Sequence, residues 1–278
     1  SNSAEGVLTN VLTAFGADGF TAGTSSDFNG SGNDIVTWNW KAGTTTGIAG
    51  SPSITPTGYS FNQTSGFSII EYTGNGTSGA TIPHGLSAAP ECVICKSTTN
   101  AEAWITGHKW MNSGTTPWNY GIELNASTGD YASAGYWNDT APSSTLVTLG
   151  SGGGSNLSGG TVMAYCFASI KGYSKFGSYT GNGNADGPFI FTGFSPAFIL
   201  AKRTDSTGNW FIWDNKRKGY NANNNYLMSS TTGAESDATN ISILSNGFKF
   251  RSTDADLNAS GGDYIYMAFA EFPFVSSN

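Results

Sequence analysis

Charge is what this sequence has least of. Only 11% of its 278 residues are Asp, Glu, Lys or Arg, against about a quarter in ordinary globular chains. Twelve Lys and Arg face nineteen Asp and Glu, for a net charge of −7. The basic residues are scattered, apart from the short cluster Lys216, Arg217 and Lys218. Binding a phosphate backbone needs a basic footprint, so no nucleic-acid partner is expected. Anionic membrane surfaces are disfavoured for the same reason, and no apolar run approaches the ~18 residues of a membrane span. No membrane insertion is expected.

Cysteine is nearly absent as well, with Cys92, Cys95 and Cys166 alone. An odd, small number argues against a disulfide framework and suits a chain made in a reducing cytoplasm. No signal-peptide pattern and no Met stand at the head of the sequence. Ser1 is therefore read as a processed terminus or as a point within a longer polypeptide.

What is present is glycine, 38 residues of it, and aromatics at 13%. Ser, Thr and Asn crowd the spaces between apolar runs. Large apolar side chains in this amount can fill cores, and Gly with Asn supplies tight turns. The balance is that of all-β extracellular or virion proteins.

The chain repeats itself. Phe67 to Gly76 (FSIIEYTGNG) returns as Tyr173 to Gly183 (YSKFGSYTGNG), and Pro90 to Lys96 (PECVICK) as Pro196 to Lys202 (PAFILAK). Trp104 returns as Trp210, and Ser158 to Ala168 (SGGTVMAYCFA) as Ser260 to Ala270 (SGGDYIYMAFA). The period is roughly a hundred residues, with small drifts that mark indels in loops. A partial copy stands at the front. Asp18, Gly19 and Phe20 match Asn246, Gly247 and Phe248, and Asp27 to Trp40 parallels Asp256 to Phe269.

Residues 1–42 thus read as the back half of a module. So short a piece buries too little to fold alone. It is expected to pack against the next module or a neighbouring chain, or to follow further modules upstream. Residues 43–66, rich in Gly, Thr, Ser and Pro, read as a linker or long loop. Complete modules are expected over 67–170 and 171–278. Short β-branched and aromatic runs such as Ile35–Trp40, Phe67–Tyr72, Val162–Phe167 and Tyr264–Phe269 predict strands. No segment carries a capped 3.6-residue apolar period. The expected fold is all-β: tandem, jelly-roll-like β-sandwich modules, two complete and one partial.

Several motifs invite a chemical reading. Gly74 to Gly79 matches G-x-G-x-x-G, but a dinucleotide site needs a helix next, and Ala80-Thr81-Ile82-Pro83 is no helix start. A turn between strands fits better. Cys92-x-x-Cys95 lacks the second ligand pair that structural zinc requires. Three residues apart on a strand, the two thiols face opposite sides. The sister module has Phe198 and Ala201 there, so core filling is expected.

His84 and His108 correspond to Thr192 and Asp214, and a loop or surface role is expected for both. The loops Asp27–Asp34 and Asp254–Asp263 offer the oxygen ligands that Ca²⁺ favours. The middle module replaces those carboxylates, which favours hairpin turns stabilised by Asp and Asn. No metal, no cofactor and no catalytic residue is assigned. Among the tryptophans, Trp104 and Trp210 are repeat-equivalent and read as core. Trp110, Trp118 and Trp137 sit in loop-like surroundings unique to the middle module. They are the candidate glycan contacts, since indole faces pack on sugar rings.

Taken as a set, Tyr179 to Gly183, Gly193 to Lys202, Trp210, Leu244 to Phe248 and Tyr264 to Glu271 resemble a module recurrent in virion proteins of tailed bacteriophages, marine ones especially. The resemblance covers both full modules and the partial one. Such modules stand beside concanavalin-like lectin domains in tail fibres, appendages and head-decoration proteins. The resemblance implies a virion component assembled in the host cytoplasm, in contact with other virion proteins. A homo-oligomer is expected, a trimer being one candidate, with host surface glycan as a further partner. The family brings no catalytic residues. Two alternatives stand beside this reading: a glycan-binding lectin module, and a secreted bacterial adhesin or filament subunit.

Overall fold

The short apolar runs bounded by Gly and Asn form strands. The computed structural model describes residues 1–217, 221, 224–238 and 240–272. Lys218 of the basic cluster and the last six residues of the second module, 273–278, lie outside the described residues. The N-terminal segment holds β1 (Leu12–Phe15), β2 (Phe20–Ala22) and the one-turn helix α1 (Ser26–Asn29).

The first module comprises β3 (Gly58–Asn62), β4 (Phe67–Thr73), β5 (Ala80–Pro83), β6 (Cys92–Ser97), β7 (Ile105–His108), β8 (Tyr120–Glu123), β9 (Tyr131–Ala132), α2 (Ala134–Trp137), β10 (Leu146–Leu149), α3 (Gly153–Asn156) and β11 (Thr161–Phe167). The second comprises β12 (Ser174–Thr180), β13 (Phe189–Phe191), β14 (Pro196–Arg203), β15 (Trp210–Asp214), β16 (Asn224–Met228), β17 (Ser236–Ala238), β18 (Ile241–Leu244), β19 (Gly247–Phe250), α4 (Ala255–Asn258) and β20 (Asp263–Ala270).

The fold is all-β, and the two modules share one frame. A seven-stranded sheet, β3-β4-β11-β6-β7-β8-β9, packs on the pair β10-β5. A six-stranded sheet, β12-β20-β14-β15-β16-β17, packs on β13-β19-β18. The repeat places β12 where β4 lies, β20 for β11, β14 for β6 and β15 for β7. Registers agree: Ile82 of β5 opposes Val147, and Ile190 of β13 opposes Phe248. Each module is thus a sandwich with its own core, around Tyr72, Val93 and Val162 in the first and Ile199, Trp213 and Phe248 in the second.

A third core joins them. Side chains alternate across a strand, so β11 turns Val162, Ala164 and Cys166 into its own sandwich and Tyr165 and Phe167 outward. In β20, Tyr266 and Ala268 face inward while Ile265, Met267 and Phe269 face outward. The two outward faces meet, and the large sheets are buried on both sides. All six residues of β6 are buried. This two-sided burial explains why the central strands read as continuous apolar runs rather than strict alternation.

Phe269 is the hub of the shared core. Its ring contacts Phe167 of the first module, Tyr173, Phe176 and Phe198 of the second, and Trp40 of the N-terminal segment, with centroids 5.4 to 6.1 Å apart. Such edge-to-face pairs add to plain area burial.

Two expectations are corrected at the front of the chain. Residues 35–40 form no strand, although their counterpart β20 is central in its sheet. A central strand needs neighbours on both sides, and this partial copy brings none. Trp38 and Trp40 instead reach the shared core, 5.7 and 5.3 Å from Phe198. The expected packing of the partial module on its neighbours is therefore met by these two rings and by residues 2–5, where Lys96 Nζ donates to the Asn2 carbonyl and the Glu5 N–H to that of Thr98.

Residues 43–66 are no linker. β3 pairs with β4, Thr44 pairs with Phe61, and the Ile54 N–H donates to Thr81 of β5. Ile48, Ile54 and Tyr59 pack on the first core. Their apolar residues are spaced singly among Gly, Ser and Thr, which hid the strand.

Because the shared core couples the sandwiches, calorimetry is expected to give one cooperative transition. Phe269→Ala should lower stability by about 3–5 kcal/mol without splitting it. Two resolved transitions in the unaltered protein would contradict the coupling.

Candidate functional site

The repeated Y-T-G-N-G motif can be assigned from its hydrogen bonds. Asn156 and Asn258 end the equivalent one-turn helices α3 and α4, and both are fully buried. The Asn258 side-chain oxygen accepts from the Asn182 N–H at 2.7 Å, while its amide donates to Asn182 Oδ1, the Asn184 carbonyl and the Ser252 carbonyl. Asn156 does the same with Asn75, Thr77 and Gly150. The tyrosine hydroxyls belong to the same clasp. Tyr72 donates to the Ser155 carbonyl and Tyr179 to that of Leu257.

The first glycine of the motif permits close approach: a Cβ on Gly181 would sit 2.1 Å from the Ala259 oxygen, and one on Gly74 2.3 Å from that of Leu157. Gly76 and Gly183 both have φ of +67°, a region that glycine enters at no cost. The G-x-G-x-x-G match is thus a structural clasp that leads into β5. The loops expected as hairpin turns hold the one-turn helices α1 and α4 instead, and the Asn that ends α4 binds the carbonyls of the clasp.

The acidic residues of the third loop are spent locally. Asp254 caps α4 by accepting from the Asp256 N–H, and Asp256 accepts from the Asn209 N–H and side-chain amide. Among the described residues no group of three or more His, Cys, Asp or Glu is placed to hold a metal.

The thiols are core filler, with Cys92 in the shared core and Cys95 and Cys166 in the first. Burial pushes the Cys95 thiol up to about 12, and the other two also rise. Such thiols stay protonated and unreactive. Lys202 ends β14 fully buried, its ammonium donating to the Arg203 and Ser127 carbonyls, and burial lowers its pKa to about 8. Lys96, its counterpart, donates to the Glu102 carbonyl at 2.7 Å.

The histidines are corrected: neither is on the surface. His84 and His108 are 0% and 3% exposed. Each Nδ1 accepts a main-chain N–H two residues on, from Leu86 and Trp110. Burial lowers their pKa values to about 4 and about 3. Their sister residues, Thr192 and Asp214, show that the positions tolerate other polar groups.

The tryptophan triplet is not brought together at a surface. Trp118 and Trp137 are 6% and 0% exposed and cross edge to face, 5.6 Å apart, in the first core. Gly107 of β7 makes room for them, since a Cβ there would lie 2.6 and 2.7 Å from the two rings. At the sister position β15 carries Trp213, which fills the same space from the strand itself. A buried indole offers no face to a sugar. Trp110 alone reaches solvent, at 39%, with Lys109 Nζ 5.7 Å from its ring centroid.

Trp110 stands at the rim of an open groove of about 790 Å³ at the junction of the modules, between the edges of β12 and β13. Phe176 and Tyr179 line it on the β12 side, and Phe189 and Phe191 on the β13 side. The last two are 46% and 56% exposed. Lys175 donates to the Phe191 carbonyl and lies 5.4 Å from that ring's centroid, and Lys109 pairs with Glu91 at 2.7 Å. Ser169 Oγ, also on the groove's lining, donates to Glu91. The groove's aromatic walls and cationic rim are suited to binding. Reading the sequence for loop tryptophans missed it. The signal was the repeat contrast at β5 and β13, Thr-Ile-Pro against Phe-Ile-Phe.

Two outcomes follow. Asn258→Ala strands the Asn182 N–H and two carbonyls and should destabilise by about 2–4 kcal/mol in urea melts. Asn29→Ala, at the exposed first copy, should stay within about 0.5 kcal/mol. The buried imidazoles set an acid limb. Below about pH 6.5 the unfolded chain protonates both histidines while the folded chain keeps them neutral. Stability is therefore full above that pH and falls towards about pH 4, at up to about 1.4 kcal/mol per pH unit for each. Urea midpoints across that range should drop less steeply in His84→Gln.

No curated protein and no solved structure matches the chain. A single family model spans the N-terminal segment and both sandwiches, residues 1–273. The chain belongs to the family described as a domain of unknown function, DUF7483.

Proposed function

We propose that this chain is a non-enzymatic structural component of a bacteriophage virion surface: a tail fibre, an appendage or a capsid-associated decoration protein. The observation that supports this most is where the reactive side chains lie. All three cysteines, both histidines and the two repeat-equivalent lysines are buried. A chain that commits those groups to its cores presents a polar, sparsely charged exterior. Three fused cores give a stiff block suited to repeated display, where many weak contacts add up to avidity. The module resemblance supplies the virion setting.

Mass spectrometry of purified particles tests the reading. The protein should be present at many copies per particle, and antibody against it should decorate intact virions. Its absence from particles would remove the virion reading in favour of a secreted adhesin or filament subunit.

A further inference from the structure

The two modules share a frame but not their edges. In the first, β3 flanks β4 on its outer side, and Ser53 and Ile54 bind Thr81 of β5. In the second, β12 pairs along its length with β20, and β13 pairs with β19. The short connection from Phe167 of β11 to Ser174 of β12 covers only the start of the outer β12 edge, where Ile170 bridges Ser174 and Ser169 Oγ accepts from the Phe176 N–H; among the described residues no strand flanks the edge beyond. The outward side chains change in step. Thr81 and Pro83, beneath the strap, become Phe189 and Phe191, in solvent on either side of buried Ile190. An open strand edge beside exposed aromatics is a template for another strand. The groove's rim is cationic, with Lys109, Lys171 and Lys175 against Glu91.

The N-terminal segment has the opposite character. All four residues of β1 are exposed, and Val7, Leu8 and Phe15 are 97%, 68% and 82% exposed. A two-stranded hairpin with no covered face is marginal at best in water. Before Lys41 the chain carries Glu5, Asp18, Asp27 and Asp34 and no Lys or Arg. Within residues 7–22 the one charged residue is Asp18. An exposed apolar hairpin without a surface and a basic apolar groove without a strand are complementary in polarity, and in charge through Asp18 and the acidic residues that flank the hairpin.

We propose that the N-terminal arm, residues 7–22, of a second copy of this chain occupies the groove between β12 and β13. One strand of its hairpin extends the six-stranded sheet beyond β12, as β3 extends the seven-stranded sheet beyond β4. Main-chain hydrogen bonds along the edge supply affinity, and the arm's apolar side chains cover Phe189 and Phe191. Asp18 of the arm, facing the lysine rim, sets the orientation. The contact is heterologous, arm of one copy to groove of the next, so it builds a ring or a row. It rests on the geometry of the modules and holds whether or not the chain belongs to a virion.

Mixed-chain crosslinking of the full-length protein tests this. Chains with Phe15→Cys are mixed with chains carrying Phe189→Cys and mildly oxidised, the native thiols being buried. A disulfide joining one chain of each kind is expected. In sedimentation experiments, Lys171→Glu with Phe191→Asp should weaken self-association about tenfold or more and leave the melting temperature unchanged, since both residues are exposed. Added salt should also weaken it. The proposal is overturned by a chain that stays monomeric, by association indifferent to the variant, by mixed Phe15→Cys and Phe189→Cys chains that form no disulfide with each other, or by a saccharide that fills the groove of a monomer. Absence of the protein from virions would leave all of these measurements untouched.

Discussion

Everything in this molecule depends on both large sheets being dry on both faces. A sandwich normally leaves its outer faces to water, and the outward residues of its strands are then polar. Here Tyr165 and Phe167 on one sheet and Ile265, Met267 and Phe269 on the other close a third core between the modules. That constraint fixes the relative placement of the sandwiches. It brings Trp38 and Trp40 to the seam and draws the N-terminal segment along the first module. It also places the groove at the junction, where Lys109 and Trp110 of the first module face β12 and β13 of the second.

Within each sandwich the buried asparagine does the local work. A single side chain satisfies four main-chain and side-chain groups, three of them in the Y-T-G-N-G loop and one just before its own helix, far from bulk water, where each unpaired group would be costly. The clasp explains why glycine, asparagine and tyrosine recur together. The tyrosine hydroxyl and the asparagine amide both address the one-turn helix, and the glycine lets the two backbones touch. The first copy, with its Asn29 exposed and no Y-T-G-N-G strand, has the helical turn without the clasp.

The repeats made much of this legible. They gave the module boundary near residue 170, the strand identities, and the reading of the cysteines as core filler, because Phe198, Ala201 and Ala268 stand in their places. Burial of loop residues was less visible. Trp118 and Trp137 lie on irregular segments with polar neighbours, and only the small Gly107 opposite Trp213 betrays the space they fill. The histidines misled for a similar reason: His84, in the loop after β5, and His108, at the end of β7, stand where a polar residue looks solvent-facing until the packing around it is known. The strap at 43–66 was hidden by its composition, since Ile48 and Ile54 act singly. The groove was readable only as a difference between the modules.

The shared core carries a rule about number. Each sandwich has one broad apolar outer face to offer; on the other outer layer, the small sheet, the exposed aromatics of the second module are Phe189 and Phe191 at its edge. Two sandwiches cover most of each other's faces, with Ile69, Trp104, Tyr165 and Ile212 left half-buried at the seam. A lone module would expose Phe167 or Phe269 with their neighbours, and a third would find no bare face on which to stack. This kind of stacking therefore stops at a pair. A longer array has to count in twos and to grow sideways, through strand edges.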